Sequence, residues 1–247
     1  MPKEGVNVIE KGDIYFFIRP DVSTTEVKGL GEVQRFYMVL NPDSDSKFRE
    51  IVVGQKKLPD IDEQERFFAY VEHVFSDADE LKKELEGGEY ETKTRGEREE
   101  MPARAVGEGR YVLAQHEDHS HLAYALEQPK TPNQVQKDLR IESEGSYVIS
   151  VRNPDQGQQF TEEKPDYPKE IRDEFGDRKF AKQVDPKMLD FEHSEMILIG
   201  AKENPEEELG ISISTEEESV SQSDLVNKLK IEKSNKRLKP IEEGKWD

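Results

Sequence analysis

The segment ARAVGEGRYVLAQHEDHSHLAYALEQP, residues 103–129, decides the reading of this chain. Residues 110–115 and 121–127 alternate in polarity around a few polar residues, the pattern of two antiparallel strands joined by a tight turn. Two registers fit. A two-residue turn at Glu117-Asp118 sets His116 opposite His119, with His121 following on the same side; a loop over 117–120 sets His116 opposite His121. In either register His116 and His121 share a face, because side-chain direction along a strand alternates with period two. The other face then carries Tyr111, Leu113, Leu122, Tyr124 and Leu126 toward a core. Val112, Ala114, Ala123 and Ala125 accompany the histidines as a floor of small residues, suited to a shallow pocket or to a packed helix.

Working outward, short aromatic and β-branched runs recur between turn residues. Residues 14–19 stop at Pro20, 33–40 at Asn41-Pro42, 51–53 near Pro59, and 146–152 at Asn153-Pro154, with a last run at 196–199. Proline suits these ends because it has no N–H to give to a ladder. Helical signals are fewer. In residues 63–74, Phe67, Tyr70, Val71 and Val74 fall at i, i+3, i+4 and i+7, which predicts a helix with one apolar stripe. Ser76 with Asp79 predicts the cap of a second helix, with Leu81 and Leu85 inward and Gly87-Gly88 at its end. Thr131-Pro132 opens a short helix burying Val135 and Leu139, and residues 168–175 form another, stopped by Gly176. The halves resemble each other: GDIYFFIRP at 12–20 and GEGRYVLAQH at 107–116 precede QRFYMVLNP at 34–42 and SHLAYALEQP at 120–129. Duplication and convergent strand patterning both account for this.

Composition bounds the function. The 247 residues carry 36 basic and 55 acidic side chains, a net charge of −19, with 33% apolar residues, 37% charged and no cysteine; the mean hydropathy is −0.92. Thiolate metal sites, disulfides and cysteine nucleophiles are excluded. A field of this sign repels phosphate, so nucleic acid is an unfavoured partner, as is an anionic membrane surface. No stretch approaches the roughly 20 apolar residues of a spanning helix, and the opening MPKEGVNVIEKGD lacks the apolar run of a signal peptide. The expected compartment is therefore the cytoplasm. Residues 202–247 hold 12 acids and 8 bases with little apolar clustering. They read as a charged, disordered tail behind one folded unit, 1–201, with halves at 1–100 and 101–201. Within that tail, Leu225, Leu229 and Ile231 can form one face of a partner-binding helix, and the cations from Lys228 to Lys239 are its one stretch suited to RNA.

Chemistry concentrates in two places. His116, His119 and His121 lie within six residues, and cross-strand neighbours on one face have Cβ atoms about 4.5–5.5 Å apart. Such a set suits a divalent metal such as zinc, with Asp118 as a possible oxygen ligand. The second place is TKTRGER at 92–98, where Lys93, Arg95 and Arg98 can receive an anion although Glu91, Glu97, Glu99 and Glu100 compete for them. There is no glycine-rich phosphate loop, nucleophile elbow or helical H-E-x-x-H.

Residues 12–20 (GDIYFFIRP), 93–99 (KTRGERE), 103–116, 121–129 and 147–155 (YVISVRNPD) resemble an uncharacterised prokaryotic protein family whose members are labelled hypothetical proteins. The resemblance spans roughly 1–201, implies one folded unit, and brings no activity with it. The expected architecture is α+β: a mainly antiparallel sheet or partly open barrel from two similar strand-rich halves, with three or four short helices on one side. The expected role is non-catalytic binding of a protein or small ligand. The alternative is a metal-dependent, hydrolase-type enzyme built on His116, His119 and His121, with bound water as nucleophile.

Overall fold

A computed structural model describes residues 2–22, 24, 26–92, 96–215, 219–232 and 236–247. Its frame is an eight-stranded antiparallel barrel. β1 (Val6–Pro20), β2 (Val33–Pro42), β3 (Phe48–Val53) and β4 (Arg66–Phe75) form one meander; β7 (Arg104–His116), β8 (His119–Gln128), β9 (Glu144–Val151) and β10 (Glu195–Lys202) form the other. β1 pairs with β7 and β4 with β10, so the sheet closes on itself. β5 (Gly88–Thr92) and β6 (Gly96–Glu100) make a separate two-stranded ribbon. The described residues also contain six short helices: α1 (Ala78–Glu86), α2 (Gln134–Asp138), α3 (Lys169–Phe175), α4 (Pro205–Leu209), α5 (Asp224–Asn227) and α6 (Lys239–Glu242). None is long and apolar enough to cross a membrane.

This overturns the expected α+β fold with a partly open barrel, and one segment explains why. Residues 66–75 form β4 rather than a helix, and β4 supplies the strand between β3 and β10. Its apolar residues satisfy two periods at once. Ala69 and Val71 face the core, with Phe67 packed against it, on period two; Phe67, Tyr70, Val71 and Val74 also fit a helical stripe. Two flanking strands with unpaired edges decide between them, because pairing satisfies every N–H and C=O along the run. The other helices form close to their predicted places. Asp77, one residue past Ser76, caps α1 through the N–H groups of Asp79 and Glu80. Asn133 rather than Thr131 caps α2.

The barrel is filled. Phe16 stacks with Phe36 and meets Tyr124 edge-on, with centroids 6.1 and 5.2 Å apart, and Tyr147 stacks on Tyr124. Near Tyr111, Arg49 grips Glu10 through its two terminal guanidinium nitrogens, at 2.6 and 3.1 Å, and reaches Asp190 through Nε at 2.7 Å. Interior-facing aromatics thus occupy the space that a wider barrel would leave for a ligand.

The two meanders share one pairing register. Gly12 faces Tyr111, Ile14 faces Gly109, and Asp13 faces Arg110 with an ion pair between them. Exchanging the halves carries each of these pairs onto another or onto itself. The β4–β10 seam is centred in the same way on Phe68 and Ile197. Even the bulges correspond, Ile9 falling outside the β1–β7 pairing where Val106 does in the other half. The exchange matches Gly12 with Gly109 and Pro42 with Leu126, three residues from the proline alignment suggested by sequence. At Gly12 and Gly109 alike, a Cβ would stand inside a backbone carbonyl of the adjacent strand, that of Asn41 or Ala125. Matched bulges and matched close approaches are features that strand patterning alone does not produce.

Residues 202–247, read from sequence as a disordered tail, contribute apolar side chains to the outer wall, and Trp246 joins the main core cluster. Leu225, Leu229, Ile231, Leu238 and Ile241 pack with Leu81 and Leu85 of α1 over Tyr15, Phe17, Tyr37 and Val39. Arg237 donates to the carbonyls of Ala103 and Leu85, and Arg104 donates to that of Trp246. Lys228 pairs with Asp13, Lys230 with Asp79 and Lys236 with Asp247, so these cations of the RNA reading are engaged by the chain's own acids. Glu216–Glu218 and Lys233 fall outside the described residues.

Two predictions follow from the packing. Gly109→Ala and Gly12→Ala should each cost about 2–3 kcal/mol in urea denaturation, whereas Gly31→Ala, with nothing within 4 Å of its Cβ, should be neutral. The second concerns pH. Glu108 lies buried under α5, accepting the Asp224 N–H at 2.8 Å, and burial pushes its carboxyl up to about 7; burial and the neighbouring Glu84 and Glu72 push Glu50 up to about 8. Both acids hold a proton more readily folded than unfolded, so their stabilisation is complete below the unfolded carboxyl range and is lost as pH rises through 7 and 8. With chelator present, Tm should fall as pH rises from about 4.5 to about 8 and level off above that, and Glu50→Gln should flatten the fall. A Tm unchanged over that range in the wild type would contradict this.

Candidate metal centre

The turn at Glu117-Asp118 has two residues, Glu117 taking a left-handed φ of 52°. His116 therefore pairs with His119, Gln115 with Ser120, and Ala114 with His121. This is the first of the two registers that the sequence allows. The tip is fastened from outside the hairpin: Gln183 Nε2 donates to the Glu117 carbonyl at 2.9 Å, and the Val184 N–H donates to Ser120 Oγ at 2.9 Å.

All three rings lie on the outer face of the barrel and converge. Ring centroids are 5.4 Å apart for His116 and His119, 6.0 Å for His116 and His121, and 4.8 Å for His119 and His121. One potential ligand atom from each lies within 4.8 Å of the others. On one tetrahedral zinc the nitrogens would be about 3.4 Å apart, from Zn–N bonds of about 2.1 Å. The inward partners are those the alternation predicts: Tyr111, Leu113, Leu122, Tyr124 and Leu126 all lie in the core. The small-residue floor is also present, and it accepts packed chain, with Val112, Ala114 and Ala123 covered by Leu209 of α4 and by Ile211.

His121 is the deepest of the three, 1% exposed. Burial first, then repulsion from His119 and His116, lowers its pKa to about 4, so the ring is neutral at physiological pH, the state a metal requires. Its Nδ1 lies 3.1 Å from Ser146 Oγ and 3.6 Å from Glu208 Oε2. Its Nε2 is buried with no hydrogen-bond partner. With the Ser146 hydroxyl as acceptor the proton sits on Nδ1 and Nε2 presents a lone pair, the tautomer in which this ring can ligate a metal. Outer carboxylates and hydroxyls commonly hold a ligating imidazole in this way.

Asp118, expected as an oxygen ligand, is 71% exposed, and its Oδ1 lies 3.5 Å from His119 Nδ1. It sits beside the ring rather than among the converging ligand atoms. Lys93 and Arg95, and the side chain of Arg98, lie outside the described residues. Ser146 and Glu208 were missed from sequence. They are 25 and 87 positions from His121, and nothing local marks a serine in a strand or one glutamate among three as its partner.

The matching of the halves adds a comparison within the molecule. Arg19 faces Arg35 as His116 faces His119, Tyr37 faces Val52 as His121 faces Val148, and Val39 faces Glu50 as Ala123 faces Ser146. Each fourth strand is followed by a short helix bearing a glutamate on the outer wall, Glu84 in α1 and Glu208 in α4. In the first half Arg19, wholly buried, binds Glu84 Oε1 at 2.9 Å and Tyr37 Oη at 2.9 Å. In the second half three imidazoles stand where Arg19, Arg35 and Tyr37 would be. Glu208 Oε2 is buried beside them without a hydrogen bond.

Replacing Glu208 with Gln should therefore weaken metal binding at the histidines about tenfold to a hundredfold while leaving its stoichiometry unchanged. Competition against a chromophoric chelator measures this; an unchanged affinity would remove Glu208 from the site. No protein-family model matches the chain, and neither does any curated protein or solved structure.

Proposed function

We propose that this chain is a cytoplasmic, non-catalytic binding protein whose ligand is one divalent transition metal ion, zinc foremost, held by His116, His119 and His121. One observation carries the reading. The buried Nε2 of His121 has no partner, while its Nδ1 is turned toward Ser146 and Glu208. A buried acceptor left unpaired costs about 1–3 kcal/mol, and a cation recovers that cost while also answering the Glu208 carboxylate. The internal comparison supports the same charge. Where the first half places a guanidinium against Glu84, the second offers neutral nitrogen donors near Glu208, and a metal ion supplies the positive charge.

Three protein ligands leave a fourth position, which is also the pattern of catalytic zinc. The packing around the site favours the binding role. Its floor is closed by Val112, Ala114 and Ala123, and Leu209 and Ile211 cover that floor. Acidity of the whole chain makes nucleic acid an unfavoured partner and favours cations generally. The resemblance to a prokaryotic family brings no activity to this reading.

Protein purified without a histidine tag and stripped with chelator should take up one Zn²⁺ per chain and gain thermal stability as it does so. His121→Ala should abolish that uptake, and His116→Ala or His119→Ala should weaken it. Cobalt substitution should give the visible absorption of a nitrogen-rich tetrahedral site. Uptake that survives both His116→Ala and His121→Ala would defeat the proposal.

A further inference from the structure

The opposite flank of the barrel holds a second concentration of buried charge, centred on β3, β4 and α1. Glu50 is 1% exposed, and its Oε1 has no hydrogen-bond partner. A carboxylate oxygen of Glu50, one of Glu84 and a ring nitrogen of His73 all lie within 4.8 Å of one another. His73 Nδ1 is 3.3 Å from Glu192 Oε1, the relation in which an outer carboxylate orients a ligating imidazole. Glu50 and His73 face each other across the β3–β4 ladder and Glu84 folds back over them from α1, so this is a built cluster and not a run of surface acids.

The charge around it does not balance. Arg19 is bonded to Glu84 Oε1 at 2.9 Å and lies 3.4 Å from Glu100 Oε1; Arg35 is paired with Glu72. Glu50, Glu72, Glu84 and Glu100 therefore face two guanidinium groups, an excess of two negative charges when all four acids are ionised. The surplus is concentrated on buried atoms, since Glu72 Oε2 as well as Glu50 Oε1 lacks a partner. Carrying unpaired ionised carboxylates out of water is costly, and the surroundings answer it either with a proton or with a cation. A proton on Glu50 removes one charge. A divalent cation removes both and gives the convergent atoms a common partner.

We propose that Glu50, His73 and Glu84 form a second divalent-cation site, distinct from the three-histidine centre and selective for a harder ion of the manganese or ferrous class. Two carboxylates and one imidazole make an oxygen-rich donor set, whereas three imidazoles favour zinc, nickel or copper. Because Glu84 belongs to α1 and the other two ligands to β3 and β4, the ion would tie that helix to the barrel wall.

The test uses full-length protein carrying His116→Ala and His119→Ala, which disables the first centre, titrated with Mn²⁺ alone. Loss of the free-ion signal in electron paramagnetic resonance reads the binding. The expected result is one Mn²⁺ per chain, weakened at least about tenfold by His73→Ala and lost with Glu50→Gln. His73 is half-exposed, so its replacement leaves the fold intact even if Glu50→Gln disturbs the packing. Absence of Mn²⁺ binding up to about 1 mM, a Kd corresponding to only about −4 kcal/mol, overturns the proposal, as does stoichiometric binding that both substitutions leave unchanged. Zinc uptake by the unmodified histidines of a His73→Ala protein reads the first centre separately.

Discussion

Closure of the sheet is the constraint on which everything else depends. An open eight-stranded sheet would leave two edges of unpaired N–H and C=O groups, and the seams β1–β7 and β4–β10 remove both. Once the seams form, side-chain direction is fixed around the whole circumference. Phe16, Phe36, Tyr124 and Tyr147 must point inward, and the alternate residues must point out. The outer wall is therefore the surface on which charged and metal-ligating groups can gather. Interior polar groups such as Arg49, Glu10 and Asp190 satisfy one another instead.

The matched halves make that outer wall readable as two versions of one plan. Each meander ends in a helix that lays a glutamate against residues from its first two strands. In the first half the space is filled by bulk and fixed charge: Tyr15, Phe17 and Val39 below, Arg19 and Arg35 above. In the second half Val112, Ala114 and Ala123 give a shallower floor, and histidines replace the arginines. An imidazole differs from a guanidinium in what it offers a cation. Arginine is a permanent positive charge, whereas neutral histidine is a lone pair. The substitution exchanges a guanidinium bonded to its glutamate for ring nitrogens set beside one.

Packing of the C-terminal residues belongs to the same scheme. Their apolar side chains are few and widely spaced, too few to form a core alone. Leu209, Ile211, Leu225, Leu229 and Leu238 are each buried because the outer wall already offers hydrophobic ground between polar clusters. Order in such a segment is a property of the surface that receives it, as with chains that fold on binding a partner.

The residues alone determined what is local. Alternation with period two and a two-residue turn sufficed to place His116, His119 and His121 on one face and to name the inward side of their hairpin, because neighbours across a tight turn are neighbours in sequence. Prolines after short apolar runs marked the strand ends for the same reason. Tertiary structure decided the rest. Residues 66–75 fit both a helical stripe and an alternating strand, and the unpaired edges of β3 and β10 made them a strand and closed the barrel. Ser146, Glu208 and the Glu50, His73 and Glu84 cluster carry no signal along the chain. Their meaning comes from distances of a few ångströms between residues far apart in sequence, set by the β3–β4 and β8–β9 ladders and by the helices that fold back over them.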